Sequence, residues 1–234
     1  GGNSTIYATA DIASGQWVAT CEEGFGDPTN LTVFEMVEFN GHLYAATVNP
    51  RGMQLWRTTD DRDPPYKWKK VLDRGAWRGP ANEVGVGLCE FNGALYVSTG
   101  VLNGGYHRKL DIGPFAAELM RVWPDDSWEL LVGESRLTPD GLRYPLSGYT
   151  AGYDNMFGGY IWRMCEHDGW IYAGTFSWNA RFIRPSSGRT LTNEILPAKL
   201  SLNDAIGTSA SFSAGMLKRV APKPPAPPTE AKKQ

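Results

Sequence analysis

Three glutamates recur at matched places in the chain, and repeated carboxylates are the groups that acid–base chemistry or cation capture would use. Glu38, Glu90 and Glu166 each stand two residues before an Asn-Gly or Asp-Gly step, in Glu38-Phe39-Asn40-Gly41, Glu90-Phe91-Asn92-Gly93 and Glu166-His167-Asp168-Gly169. On neighbouring strands such carboxylates could line a channel and act as acid and base, or bind a cation. Each Glu belongs to its repeat, however, and catalytic residues usually break a repeat, so support of the adjacent turn is the favoured reading and no catalytic residue is nominated. Arg163 does break its column, standing where the other copies have Glu35 and Gly87, and is a candidate binding residue. His42, His107 and His167 lie at unlike repeat positions, so neither a metal centre nor a cofactor is expected. Cys89 and Cys165 both precede the repeated Glu and read as small buried thiols, while Cys21 lies elsewhere; an odd count leaves at least one thiol unpaired within the chain. Asn3-Ser4-Thr5 and Asn30-Leu31-Thr32 match the glycosylation acceptor triplet, which matters only in a glycosylating compartment.

Binding residues are sought in the inserts. One insert, residues 102–115, carries Tyr106 and Arg108; a second, residues 136–155, carries Tyr144, Tyr149 and Tyr153. Tyr and Arg among glycines suit a binding surface, and equally suit a loop folded back over its own strands. The third candidate is the tail, where Pro224 and Pro227 lie in a run that lacks backbone donors and favours an extended polyproline conformation. From Lys218 to Gln234 five basic residues face one Glu, a net charge of +4, which matches the tail to an acidic partner surface.

The elements that would position these residues follow from the repeat. The runs 38–47, 90–99 and 166–175 each place a two-residue turn between alternating or β-branched and aromatic residues, a strong hairpin signal. Between them lies a second unit, Gln54-Leu55-Trp56-Arg57 with Trp68, matched by Thr5-Ile6-Tyr7-Ala8 with Trp17 and more loosely by Glu118-Leu119-Met120-Arg121 with Trp128. Each reads as a strand pair carrying one Trp, followed by a Gly-rich stretch that ends in Asn30, Asn82 or Asn155. The chain thus reads as a strand pair, two sets of four strands and a final pair. With 234 residues, 27 Gly and 12% aromatic side chains, it is neither disordered as a whole nor a disulfide scaffold. A net charge of −2 argues against a nucleic-acid binder with a broad basic face, and no apolar run reaches the roughly 18 residues of a spanning helix.

Phe39-Asn40-Gly41, Leu43-Tyr44 and Thr47, followed by Leu55-Trp56-Arg57-Thr58-Thr59-Asp60 and Trp68, resemble the repeat of secreted bacterial and archaeal β-propellers. Thr9-Ala10-Asp11 to Gly15-Gln16-Trp17 resembles a degenerate Asp-box hairpin, the device of sialidase-like and sortilin-like propellers. The resemblance covers about residues 5–177 and implies an all-β propeller fold of about three blade equivalents, each of four antiparallel strands. Residues 1–178 would form the blades, 179–217 an irregular segment and 218–234 the extended tail.

Propellers close with about four to eight blades, and each blade buries its apolar faces against neighbours. Three blade equivalents therefore call for a complement: a second copy, a different or cleaved partner chain, or further sequence of this chain. The chain begins Gly1-Gly2-Asn3 without Met, as a processed or trimmed chain would. The leading expectation is a non-catalytic structural or interaction subunit of a larger extracytoplasmic assembly, binding protein partners through open blade edges, inserts and tail. The alternatives are a carbohydrate-active hydrolase and a glycan-binding propeller that uses Tyr144, Tyr149 and Tyr153.

Overall fold

The computed structural model describes residues 4–106, 110, 111 and 113–177. Arg108, Pro224 and Pro227, with the segments expected at 179–217 and 218–234, lie outside the described residues.

The architecture is all-β and antiparallel. A short pair comes first, β1 (Tyr7–Ala8) and β2 (Val18–Ala19), shorter than the sequence pattern suggests. Its turn is built by Asp11, whose carboxylate accepts the Ala13 N–H at 2.9 Å, and by Gly15 at φ 68°. Next comes a four-stranded meander of β3 (Thr32–Phe39), β4 (His42–Val48), β5 (Leu55–Asp60) and β6 (Lys67–Leu72). A second meander repeats that order with β7 (Val84–Phe91), β8 (Ala94–Gly100), β9 (Leu119–Val122) and β10 (Trp128–Val132). A small hairpin, β11 (Arg136–Thr138) and β12 (Gly141–Arg143), precedes the last pair, β13 (Gly158–His167) and β14 (Trp170–Ser177). The meanders and the last pair form one curled ten-stranded sheet, joined through Val48↔Val84 and Gly100↔Tyr160.

The three long hairpins have one geometry because they have one turn chemistry. Asn40-Gly41, Asn92-Gly93 and Asp168-Gly169 all take positive φ at both positions, 50° and 71°, 50° and 73°, 49° and 74°. That is the conformation whose twist matches the flanking strands, and few residues other than Asn, Asp and Gly adopt it cheaply. The registers match as well, opening with Phe39↔His42, Phe91↔Ala94 and His167↔Trp170. Each carries a bulge at the same place, between Val33 and Glu35, Gly85 and Gly87, and Ile161 and Arg163.

Apolar packing binds the two meanders into one body. Tyr44, Leu55 and Leu72 of the first share a buried cluster with Leu95, Val97, Met120 and Leu130 of the second. Ile161, together with half-buried Met164, Ile171 and Ala173, continues the packing against Tyr96, Leu119 and Val132. Gly100 is fixed by this contact, since a Cβ there would lie 2.3 Å from the Tyr160 ring.

Polar groups buried at the strand ends set the loops. Asn30 Nδ2 donates to the Gly24 carbonyl at 2.8 Å and to Gln54 Oε1 at 2.7 Å; Asn82 Nδ2 donates to the Gly75 carbonyl at 2.9 Å and to Glu118 Oε2 at 2.7 Å. Glu118 is fully buried and also accepts the Glu134 N–H and Arg136 Nη1, at 2.7 and 2.9 Å, with Arg78 Nε 3.3 Å away. Burial lowers the Arg78 guanidinium from its ordinary value, with Glu118 opposing and Arg136 reinforcing that shift. Removing one partner from a buried charge set is costly because the others stay behind unpaired. Glu118→Gln is expected to lose about 3 kcal/mol in urea unfolding, and a loss below about 1 kcal/mol would show that the arginines re-pair elsewhere.

A second charged contact clips the meanders together at their outer edge. Arg57 on β5 donates to both oxygens of Asp126 in the β9–β10 turn, at 2.7 and 2.9 Å, and Lys69 on β6 adds a contact at 2.6 Å. Burial pushes the Asp126 carboxyl up, but the Arg57 and Lys69 hydrogen bonds outweigh it and hold the group below its ordinary value. A carboxylate depressed by folding stabilises the fold above its unfolded pKa of about 4, and that stability is lost as pH falls through the folded value. Asp126→Asn should therefore be less stable than the parent by about 2 kcal/mol at neutral pH, with the gap closing in acid; an unchanged gap would contradict this.

Candidate interaction surface

The first strands of the three long hairpins, β3, β7 and β13, adjoin, with β7 touching both others. A bulge bends its strand and re-aims the residue that follows, and the residues following these bulges are Glu35, Gly87 and Arg163. Arg163 Nη1 reaches Glu35 Oε2 at 2.7 Å, bridging the first and last of the three strands. Gly87 lies between them: a Cβ there would be 2.9 Å from Ser98 Oγ and 3.4 Å from the Trp162 carbonyl. Arg163 remains 71% exposed in this pair. Glu38, Glu90 and Glu166 are all exposed, and Glu166 Oε1 accepts the Gly169 N–H at 2.9 Å, across its own turn.

The two ends of the strand system differ from its middle. Tyr44, Tyr96 and Tyr172 occupy one repeat position, and their exposures are 0%, 8% and 52%. The difference has a plain cause: β4 and β8 each pair onward with β5 and β9, whereas among the described residues β14 pairs only with β13. Trp170 and Phe176 on β14 are likewise exposed. At the other end, Tyr7, Trp17 and Val18 on or beside the β1–β2 pair are about half exposed, while Trp128, matched to Trp17, is 8% exposed. Ile6 anchors that pair, packing with Cys21 and Ala45.

The tyrosines of the inserts separate into different surroundings. Tyr149 and Tyr153 stack edge to face at 5.8 Å and pack, partly buried, on the cluster between β8, β9, β10 and β13. Burial raises the Tyr153 phenol above its ordinary value. Tyr144 is 59% exposed, following the β11–β12 hairpin. Tyr106 donates its hydroxyl to Asp111 beside the one-turn helix α1 (Leu102–Gly105). Arg143 lies over the Trp128 ring at 5.0 Å, which fastens the second insert to the sheet. The β11–β12 hairpin escaped the repeat-based reading; its signal is Thr138-Pro139-Asp140-Gly141, a turn tetrapeptide in an otherwise irregular insert.

Two sequence expectations change here. Cys89 is buried as expected, but Cys165 is exposed because it lies toward the turn of the uncovered last hairpin; all three cysteines are free thiols. Burial pushes the Cys21 and Cys89 thiols up. Asn30 cannot serve as a glycan acceptor in this fold, since it is fully buried with its amide committed to Gly24 and Gln54. Among the described residues no group of three or more His, Cys, Asp or Glu is placed to hold a metal ion, and no helix is long and apolar enough to cross a membrane.

No protein-family model matches the chain, and none of the curated proteins matches it.

An ion pair this exposed contributes little to stability. Glu35→Gln is expected to change unfolding free energy by less than about 1 kcal/mol, measured by urea titration; a larger loss would make the Arg163 bridge a structural tie.

Proposed function

We propose that this chain is a β-propeller segment of about three blade equivalents that serves as a non-catalytic interaction subunit of a larger extracytoplasmic assembly. The two four-stranded meanders read as whole blades, and the β1–β2 and β13–β14 pairs as the outer and inner halves of two others. One observation carries the reading: the repeated tyrosine is sealed in the first two copies and half exposed in the third, where the covering strand is absent among the described residues. Trp170 and Tyr172 on β14, with Tyr7, Trp17 and Val18 at the opposite end, present aromatic and apolar surface beside strands that have one strand partner each among the described residues. Such edges are templates for another chain, and contiguous apolar patches of this kind mark association sites.

A partner strand on β14 would have a defined register. By analogy with Tyr44↔Arg57 and Tyr96↔Arg121, it would place a residue opposite Tyr172 and an apolar residue opposite Gly174. The secreted or cell-surface location follows from the propeller resemblance and belongs to the proposal.

Size-exclusion chromatography with light scattering tests the reading. The isolated chain is expected to associate, at a mass above 25.8 kDa, and Tyr172→Lys should weaken that association by placing a charge on the uncovered face. A soluble, stable monomer would overturn it.

A further inference from the structure

Beside the first meander lies a cavity of about 400 Å³ that the interaction reading does not use, with Asp27, Arg51, Gln54, Lys70, Asp73 and Arg74 in its wall. Its floor is fixed by Gln54, which is 3% exposed and fully committed. Gln54 Oε1 accepts from Asn30 Nδ2 and Trp56 Nε1, at 2.7 and 2.9 Å, so its amide nitrogen must face the two aspartates. It donates to Asp27 Oδ2 at 2.9 Å and to Asp73 Oδ1 at 3.1 Å. Burial pushes the Asp27 carboxyl up, while hydrogen bonds from Thr29 and Gln54 and the nearby Lys70 charge bring it below its ordinary value, so it remains an acceptor. Lys70 is paired with Asp73 at 3.2 Å.

The arginines are placed differently. Arg51 and Arg74 sit on loops that touch backbone to backbone, since a Cβ on Gly52 would lie 2.4 Å from the Arg74 carbonyl carbon. Gly52, at φ 113°, permits that approach, and the Arg74 backbone is tied down by the Gly79 N–H at 2.8 Å. Among the described residues neither guanidinium has a carboxylate partner. The second meander shows what this fold does with two such groups. There the residue matched to Gln54 is Glu118, and Arg78 and Arg136 close over its carboxylate. In the first meander the matched side chain is neutral and already saturated, and Arg51 and Arg74 line an open cavity instead.

We propose that this cavity binds a small hydroxylated carboxylate, of the acidic-sugar class, with Arg51 and Arg74 taking the carboxylate and Asp27 and Asp73 accepting from hydroxyls. The guanidinium fork matches a planar carboxylate in two parallel hydrogen bonds. Free acceptor positions on the two aspartates disfavour a bare anion and suit a ligand that brings its own donors. A cavity of this size accommodates such a ligand.

The test is calorimetric titration of the full chain with glucuronate, glucose and inorganic phosphate in parallel. Glucuronate is expected to bind, with glucose and phosphate each at least tenfold weaker. Arg51→Gln and Arg74→Gln should each weaken glucuronate at least tenfold, with thermal melts unchanged, since both side chains are exposed. Absence of glucuronate binding, equal binding of glucose or phosphate, or unchanged affinity in either variant would each overturn the proposal. These readouts do not depend on the chain's association state, so they stand or fall apart from the interaction reading.

Discussion

Burying the Glu118 carboxylate is the constraint on which the rest of the second meander and its insert depend. A charge removed from water must be paired and hydrogen-bonded or it destabilises the fold. Here the requirement recruits groups far apart in sequence: Asn82 from the loop before β7, Arg78 just ahead of it, and Arg136 from the start of the second insert. Asn82 in turn holds the Gly75 carbonyl and accepts from the Thr99 hydroxyl at the end of β8. One carboxylate therefore sets where a loop and an insert leave the sheet. The first meander solves the same geometric problem with a neutral amide, Gln54, and consequently needs no arginine in its interior.

The division of labour between apolar and polar groups follows from this. Leu, Val and Met side chains between the meanders supply most of the driving force but specify little about loop path. Asn30, Asn82 and their partners specify path because an unsatisfied buried amide is penalised wherever the loop would otherwise go. The Arg57–Asp126 clip adds orientation between β5 and the β9–β10 turn.

Much of the architecture was legible in the residues. Asn-Gly and Asp-Gly steps located all three long hairpins because positive φ at two successive positions is a local demand that few residues meet. The paired Trp-bearing strands were found through the same repeat, though β1 and β2 are shorter than the pattern implied. The polar network was half legible: Asn30, Asn82 and Asn155 stood out as the ends of Gly-rich stretches, but nothing local revealed that Gln54 and Glu118 would be the buried partners of the first two. The candidate surface was less legible still. Tyr172 carries the same local signal as Tyr44 and Tyr96, and its exposure depends on a strand that is or is not placed beside it. The cavity beside Gln54 was invisible, because it arises from Arg51 and Arg74 meeting across Gly52 from loops more than twenty residues apart.

The clip between β5 and the β9–β10 turn also governs how the structure comes apart. The two four-stranded sets share one buried cluster, so their opening is coupled, while the terminal pairs join them through smaller clusters. Among the described residues the middle units are flanked on two sides and the terminal pairs on one. Opening is therefore expected to cost least at β1–β2 and β13–β14 and most around Tyr44 and Leu95.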